Sequence, residues 1–419
     1  MSLWKIAWRS IQQRVLASTL TGISMALGVM LVVVVLTAYA VIKQNFNSGR
    51  ALPYNMIIGA KGGDLQMVLN TVYYLDKPVE NLPYTYYEEF LPKSQRKDGR
   101  DGEFSDSVEA AIPVCMGDYY RNFRVIGTTP QFFEDVGPPY KIHYAFSAGE
   151  NFHQDHYFDA VVGAFAAQQA EIHVGSKLKI SHGVEGGHIH DQPFTVVGVL
   201  APTGTPVDRG VFINMEGDFR LDGHVGSRKE VTCVLVRTAR IPGMENLPEG
   251  SAEELRSLIN KGTVARAVMP ISEITRFFNR FVDPLLMLFL FLAVLIVIVS
   301  GIGILVSIYN SMSERKHEIA VMRALGAGRS TVMRIVLFES ILLSLGGGLL
   351  GWFTAHSLIA IASPWITSQT GLFVQILQSG AIYELILVPG LILLAALVGF
   401  LPALAAYRTD VAKALTATP

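Results

Sequence analysis

The sequence predicts an α-helical membrane protein with four transmembrane helices and a large extracytoplasmic α+β domain inserted between helices 1 and 2. Three observations carry this reading. Only 16% of the 419 residues are charged and 50% are hydrophobic, against roughly 25% charged in an ordinary soluble domain. The missing charge is confined to blocks: none between Arg14 and Lys43, none from Pro284 to Ser313, and only Glu339 and Glu384 between Ile335 and Tyr407. Each block exceeds the ~20 residues that carry a helix across a ~30 Å hydrocarbon layer. Between the first two blocks lie residues 43–282, of ordinary polarity and with alternating apolar segments. The low charged fraction and a mean hydropathy of +0.37 make a nucleic-acid binder, a disordered tail protein and a coiled coil poor fits, while the formal net charge of -1 says little on its own.

Taken in order, residues 1–16 read as a cytoplasmic interfacial helix. Trp4, Trp8, Ile11 and Val15 share one face, with Lys5, Arg9 and Gln12 toward another, the pattern of a helix lying in the headgroup plane. Residues 17–42 form transmembrane helix 1. Their apolar run is far longer than the about 7–15 residues of a signal-peptide core, so an uncleaved anchor is expected.

Residues 43–282 form the extracytoplasmic domain. Segments 123–127, 177–181, 194–200 and 231–237 alternate as strands do, and SAEELRSLIN reads as a helix with Ser251 as its N-cap. The run from about Ile271 to Asp283 is amphipathic and leads into transmembrane helix 2, residues 283–310. A cytoplasmic link, 311–330, precedes helix 3, residues 331–362. An extracytoplasmic loop, 363–382, carries Pro364, Thr367, Ser368, Gln369 and Gly371, and helix 4 (383–407) leads to a cytoplasmic tail, 408–419.

Lys5, Arg9, Arg14, Arg315, Lys316, Arg323, Arg329, Arg334, Arg408 and Lys413 all fall on the side of the termini. That bias places both termini in the cytoplasm.

Chemistry-bearing residues are few. Cys115 and Cys233 are the only cysteines, and an oxidising compartment would permit a disulfide between them. Two histidine groups could offer metal ligands: His153 and His156 around Asp155, and His182, His188 and His190 with Asp191. Imidazole and carboxylate donors suit zinc or copper, whereas scattered surface histidines need no metal. The string GAKGGD at 59–64 lacks the G-x-x-x-x-G-K-[ST] pattern, and no strand–loop–helix setting is expected around it. With no zincin helix, serine elbow or redox cysteine pair either, the chain is not expected to be an enzyme by itself.

Within the spans, Glu339 and His356 are the ionisable residues of helix 3. Glu339 lies close enough to Arg334 to sit near the cytoplasmic interface. Gly346, Gly347, Gly348 and Gly351 permit close helix approach. No file of polar residues lines a hydrophilic path.

The link NSMSERKHEIAVMRALGAGRSTVMR is the most informative segment. Ile319, Met322 and Leu325 suggest an apolar ridge, Arg315 and Glu318 can pair at i,i+3, and Gly326 can end the helix in a left-handed conformation. A helix with both an apolar ridge and a charged surface suits docking to a cytoplasmic partner.

The segment ERKHEIAVMRALGAGRS, Glu314 to Ser330, resembles the cytoplasmic R-x-x-E-I-x-x-x-R-A-x-G-A signature of the FtsX-like, MacB-type ABC transporter permease family. Arg315, Glu318, Ile319, Arg323, Ala324, Gly326 and Ala327 fall on its positions, with Ala320 where glycine is common. The opening WKIAWRSIQQRVLASTLTGISMALGVM resembles the family's interfacial helix and first span. IIGAKGGDLQMVLNTVYY, RVIGTTPQFF, AVVGAFAAQQAEIHVGSKLKISHG and VVGVLAPTGTPVDRGVFIN are similar to a DevC-like or uncharacterised subgroup. The closing LPALAAYRTDVAKAL also resembles the family, with Val411 where proline is frequent.

The resemblance implies a permease subunit of the bacterial plasma (inner) membrane, paired with a second copy or a related permease and with a cytoplasmic ABC ATPase that binds the ATP. It makes Glu314, Arg315, Glu318, Ile319, Met322, Arg323 and Gly326 the ATPase-coupling residues. Hydrolysis would move the outer domains for export, extraction or mechanotransmission, with a periplasmic adaptor or substrate protein as a further partner. No cofactor in this chain and no nucleic acid are implied. The alternative is a membrane-anchored binding or sensor protein whose outer domain recognises a metal ion or protein. An ion-gradient transporter fits poorly, since four spans with no inverted repeat lack its architecture.

Overall fold

The computed structural model describes residues 3–48, 52–75, 77–134, 143–183, 188–222, 229–239, 249–314, 316–370 and 381–408. The chain opens with α1 (Leu3–Gln12) and α2 (Val15–Ser48), then β1 (Met56–Ala60), α3 (Asp64–Tyr73), β2 (Leu82–Pro83) and α4 (Tyr84–Glu88). Next come β3 (Val108–Val114), β4 (Asp118–Tyr120), β5 (Phe123–Thr128), β6 (Phe146–Gly149), β7 (Asp159–Val162) and α5 (Ala164–Ala170). They are followed by β8 (Lys177–Leu178), β9 (Ser181–His182), β10 (Phe194–Leu200), β11 (Val211–Asn214) and α6 (Met215–Asp218). β12 (Glu230–Val231), β13 (Cys233–Thr238), α7 (Glu249–Lys261), β14 (Ala265–Val268) and α8 (Pro270–Phe277) complete the insertion. The last helices are α9 (Asp283–Glu314), α10 (Lys316–Ala324), α11 (Arg329–Thr370) and α12 (Ala381–Arg408). The chain divides into two compact units, Met1–Gln44 with Val282–Pro419, and Asn45–Phe281.

Four helical stretches among the described residues are long and apolar enough to cross a membrane: Val15–Gln44, Pro270–Asn310, Arg329–Thr367 and Leu387–Leu404. α2 and α9 run antiparallel. Arg14 Nη1 donates to the Ser307 carbonyl at 3.1 Å at one end, and the Tyr39 hydroxyl donates to Asp283 Oδ1 at 2.8 Å at the other.

α11 meets α2 through glycine. A Cβ at Gly347 would come within 2.8 Å of the Gly22 carbonyl oxygen, and one at Gly351 would collide with the Ala26 carbonyl. Gly347 and Gly351, four apart, face Gly22 and Ala26, also four apart. This is the small-xxx-small packing that holds helices together where lipid removes the hydrophobic drive. α12 joins α11 through hydroxyls, Ser340 Oγ donating to the Ala395 carbonyl at 3.1 Å and Ser344 Oγ to that of Leu391 at 3.3 Å. Met25, Val29, Val33, Ile304, Ile308, Val336 and Leu343 fill the space between.

α1 packs its small residues, Ala7 and Ser10, inward, and leaves Trp4 and Trp8 about half exposed, as an interfacial helix requires. Ser10 Oγ donates to buried Glu339 Oε2 at 2.9 Å, so the carboxylate of α11 is met by the interfacial helix. α11 runs on to Thr370 through Pro364, so the start of the predicted 363–382 loop is helical. The one N–H that proline lacks is tolerable in a membrane helix. Residues 371–380 and the tail from 409 lie outside the described residues.

The second unit is mixed α+β. An antiparallel sheet has the order β14-β1-β13-β3, and a larger mixed sheet the order β6-β10-β7-β11-β5-β4-β9, with β8 on β10. β2 and β12 make a small separate pair. β10 buries every second residue, whereas β1 and β11 are buried throughout, as interior strands covered on both faces must be. Two cores result. One, around Met56, Ile58, Phe90, Val234 and Leu255, backs the smaller sheet. The other, around Val125, Ala166, Phe194, Val196 and Ile213, backs the larger.

Four expectations are amended. The 177–181 and 231–237 strands are each interrupted, at 179–180 and at Thr232. Helix α7 begins at Glu249, so Ser251 lies inside it rather than capping it. The 271–283 run passes through a π-helical turn, Phe278–Val282, before α9. GAKGGD does sit between a strand and a helix, β1 and α3, but β1 pairs antiparallel with both neighbours, and Lys61 Nζ is held by the Gly262 carbonyl at 2.5 Å, which is no phosphate cradle.

Replacing Gly351 with Ala should push α11 off α2 and cost about 1–3 kcal/mol by overpacking, read as a lowered melting temperature of the detergent-solubilised protein. Gly346→Ala, where a Cβ meets nothing within 4 Å, should leave the melting temperature unchanged.

Candidate functional site

The link helix α10 stands between α9 and α11. Glu314 ends α9; Arg315 and the side chains of Glu314 and Glu318 lie outside the described residues. Ile319 and Ala320 are buried, and Ile319 joins the apolar cluster of Ile308 and Val332, with Met322 packed against it. Arg323 is partly covered. Leu325, by contrast, is 83% exposed. Six residues turn a helix through about 240° beyond one full turn, so Ile319 and Leu325 cannot share one ridge. The outward apolar pair is Val321 and Leu325, at i,i+4, both exposed.

The helix ends as the glycine suggested. Gly326 has φ +99°, the Ala327 N–H donates to the Met322 carbonyl at 3.0 Å and the Gly326 N–H to that of Arg323 at 3.1 Å. These paired bonds are a Schellman motif, and the positive φ is why glycine stands there.

In the outer unit the second histidine group is drawn together by antiparallel pairing of residues 180–182 with 188–190. Ser181 and Ile189 form a bridge, the His182 N–H donates to the His188 carbonyl, and the His190 N–H to that of Ile180, each at 3.0 Å. Strand period 2 then puts His182, His188 and His190 on one face. On the other side of β9, Asp118 of β4 lies directly opposite His182. His182 Nδ1 lies 2.6 Å from Asp118 Oδ1, and His190 Nε2 lies 3.6 Å from Oδ2. Asp118 and His190 are buried and His182 is exposed. Asp118 was not among the sequence candidates. Asp191 points away, its carboxylate exposed and 3.8 Å from Lys179 Nζ.

His153 and His156 do not join a third ligand among the described residues. His156 Nδ1 pairs with Asp159 Oδ2 at 3.2 Å, and buried Asn214 donates to the carbonyls of His153, Gln154 and His156 at 3.0–3.2 Å. That segment is a turn organised by its backbone.

Both cysteines are free thiols. Cys233 is the cross-strand partner of Val114, so pleat alternation turns Cys115 to the opposite face. Cys233 Sγ lies 3.6 Å from Thr71 Oγ1, and Cys115 Sγ donates to the Glu230 carbonyl at 3.4 Å. Burial pushes the Cys233 thiol up to about 12 and raises that of Cys115 as well. A cavity of about 190 Å³ is lined by Cys115, Asp118, His182, Asp218, Glu230 and Thr232.

Two family models match the chain, the MacB-like periplasmic core domain over residues 18–243 and the FtsX-like permease C-terminal over 290–411. The chain belongs to the FtsX/MacB-type ABC transporter permease family. As in this family, four apolar membrane helices flank a large extracytoplasmic domain between the first and second, a multi-pass inner-membrane topology. The macrolide export ATP-binding/permease protein MacB of Shewanella oneidensis is 27% identical over 322 residues, 74% of this chain and 46% of that protein. That of Bordetella avium is 27% identical over 321 residues, with the same coverage of each chain. The chain thus spans about half the length of these MacB relatives. An uncharacterised ABC transporter permease of Methanocaldococcus jannaschii is 24% identical over 184 residues, 43% of this chain and 42% of that one. The periplasmic region of MacB from Actinobacillus actinomycetemcomitans aligns at TM-score 0.34 and 14% identity over 55% of this chain and 95% of that structure.

The thiol chemistry of this FtsX/MacB permease gives a direct check. Cys233 should not react with maleimide near neutral pH in the folded protein, since burial shields it and keeps it protonated. Both cysteines should label after denaturation without reductant, counted by intact mass.

Proposed function

We propose that this chain is the membrane-spanning permease subunit of an ABC transporter, driven by ATP hydrolysis in a separate cytoplasmic ATPase, and that it moves its extracytoplasmic domain for export, extraction or mechanotransmission. The observation that carries this reading is α10, a helix anchored to the bundle by Ile319 and Ala320 and presenting Val321 and Leu325 outward on the face away from that anchor. A helix gripped on one side and apolar on the other is built to receive a push and pass it on. Arg323 and the Gly326 turn complete the seat for the ATPase.

The matched family models are an FtsX-like permease C-terminal region and a MacB-like periplasmic core domain, and the MacB relatives are named ATP-binding/permease proteins, which supports coupling to an ATPase. A second permease copy fits α9, whose apolar window is only 17% buried against 44% for the windows of α2 and α11. An adaptor or substrate protein would act on the extracytoplasmic side.

Leu325→Glu should abolish co-purification with the ATPase, or cut permease-stimulated ATP hydrolysis at least about tenfold, because it sets a charge at the centre of an apolar contact. Gly326→Pro should do the same by breaking the Schellman turn. An unchanged stimulated rate in both variants, with the complex intact, would sink the assignment of α10.

A further inference from the structure

We infer that Asp118, His182 and His190 hold a divalent transition-metal ion, zinc by the chemistry of the donors, on the wall of the outer unit's cavity. This rests on residues remote from the link helix and stands whether or not the ATPase reading does. One donor atom from each of the three residues lies within 4.8 Å of the others. Around zinc, with bonds of about 2.0–2.1 Å, tetrahedral donors sit about 3.3 Å apart, so the present separations, 2.6 Å from His182 to Asp118 Oδ1 and 3.6 Å from His190 to Oδ2, need shifts of less than about 1 Å.

Burial argues for a cation. The Asp118 carboxylate is 4% exposed and His190 wholly buried, and among the described residues both ion-pair partners of Asp118 are imidazoles. A buried carboxylate needs a countercharge close by. A divalent ion between the carboxylate and the two rings supplies it.

Orientation argues the same way. His190 Nδ1 lies 3.1 Å from the Asp222 carbonyl, which can only accept, so Nδ1 carries the proton and Nε2 is turned toward Asp118. A backbone carbonyl fixing the far nitrogen of a histidine is the outer support metal-ligating histidines usually have.

Two imidazole nitrogens and one carboxylate oxygen match zinc and its transition-metal neighbours, not calcium or magnesium, which take oxygen. His188, whose ring centroid is 5.6 Å from that of His190 and 6.5 Å from that of His182, is the nearest candidate for the fourth position. The cavity lined by Asp118 and His182 gives the ion an approach. Once bound, it would clamp β4 to β9 and to the segment that carries His190.

The test is zinc titration of the full chain in detergent, stripped with chelator, against a chromophoric zinc indicator. Wild type should take up one Zn²⁺ per chain. Asp118→Asn and His190→Gln should each weaken binding about 100-fold or more, and His153→Gln, in the other histidine group, should leave it unchanged. No uptake by wild type, or wild-type affinity in both site variants, overturns the inference. Should those variants fail to fold, the Co²⁺-loaded wild type decides. Intense visible bands of a four-coordinate site are expected, and the weak bands of six-coordinate aqueous cobalt would overturn the inference.

Discussion

The membrane unit depends on how closely its helices can approach. Lipid tails are as apolar as leucine, so nothing expels one apolar helix face toward another. Cohesion has to come from contact between backbones and from hydrogen bonds that lipid cannot offer. Gly347 and Gly351 provide the first against Gly22 and Ala26. Ser340 and Ser344 provide the second by donating across to α12. Long apolar side chains, so abundant in α9, mostly face outward. They make the helix soluble in the bilayer without deciding what it packs against.

The large features of the fold were legible because they rest on one-dimensional signals. A gap in charge reads as a span whatever surrounds it, and the alternation of residues 194–200 reproduces β10 residue for residue. Gly326 was legible for the same reason, since a left-handed helix end has few substitutes for glycine. What stayed hidden is set by partners distant in the chain. Asp118 precedes His182 by 64 residues, and only the pairing of β4 with β9 makes them neighbours. The signal that was present, histidines two apart at 188 and 190, marks one face of a strand but says nothing of what stands across from it. The two cysteines share this lesson in reverse: they are adjacent in the sheet, and the pleat still turns them apart.

At the link, the residue pattern was right about a helix and incomplete about its faces. Matches to a family signature name positions, while burial divides the helix's residues into those that hold it to its own bundle and those left for something else. Ile319 is of the first kind and Leu325 of the second. Leu325 falls between the matched positions of the signature, so burial adds a division of the helix's faces that the signature does not carry.

The two end ties between α2 and α9 have a further consequence. Arg14 holds the Ser307 carbonyl and Tyr39 holds Asp283, which fixes the vertical register of the pair at both extremities. A slide of one helical turn, about 5.4 Å, would tear both fastenings at once. Piston strokes of one rod along the other are therefore barred, and the two are left to tilt or swivel together, as the two sides of a single oar.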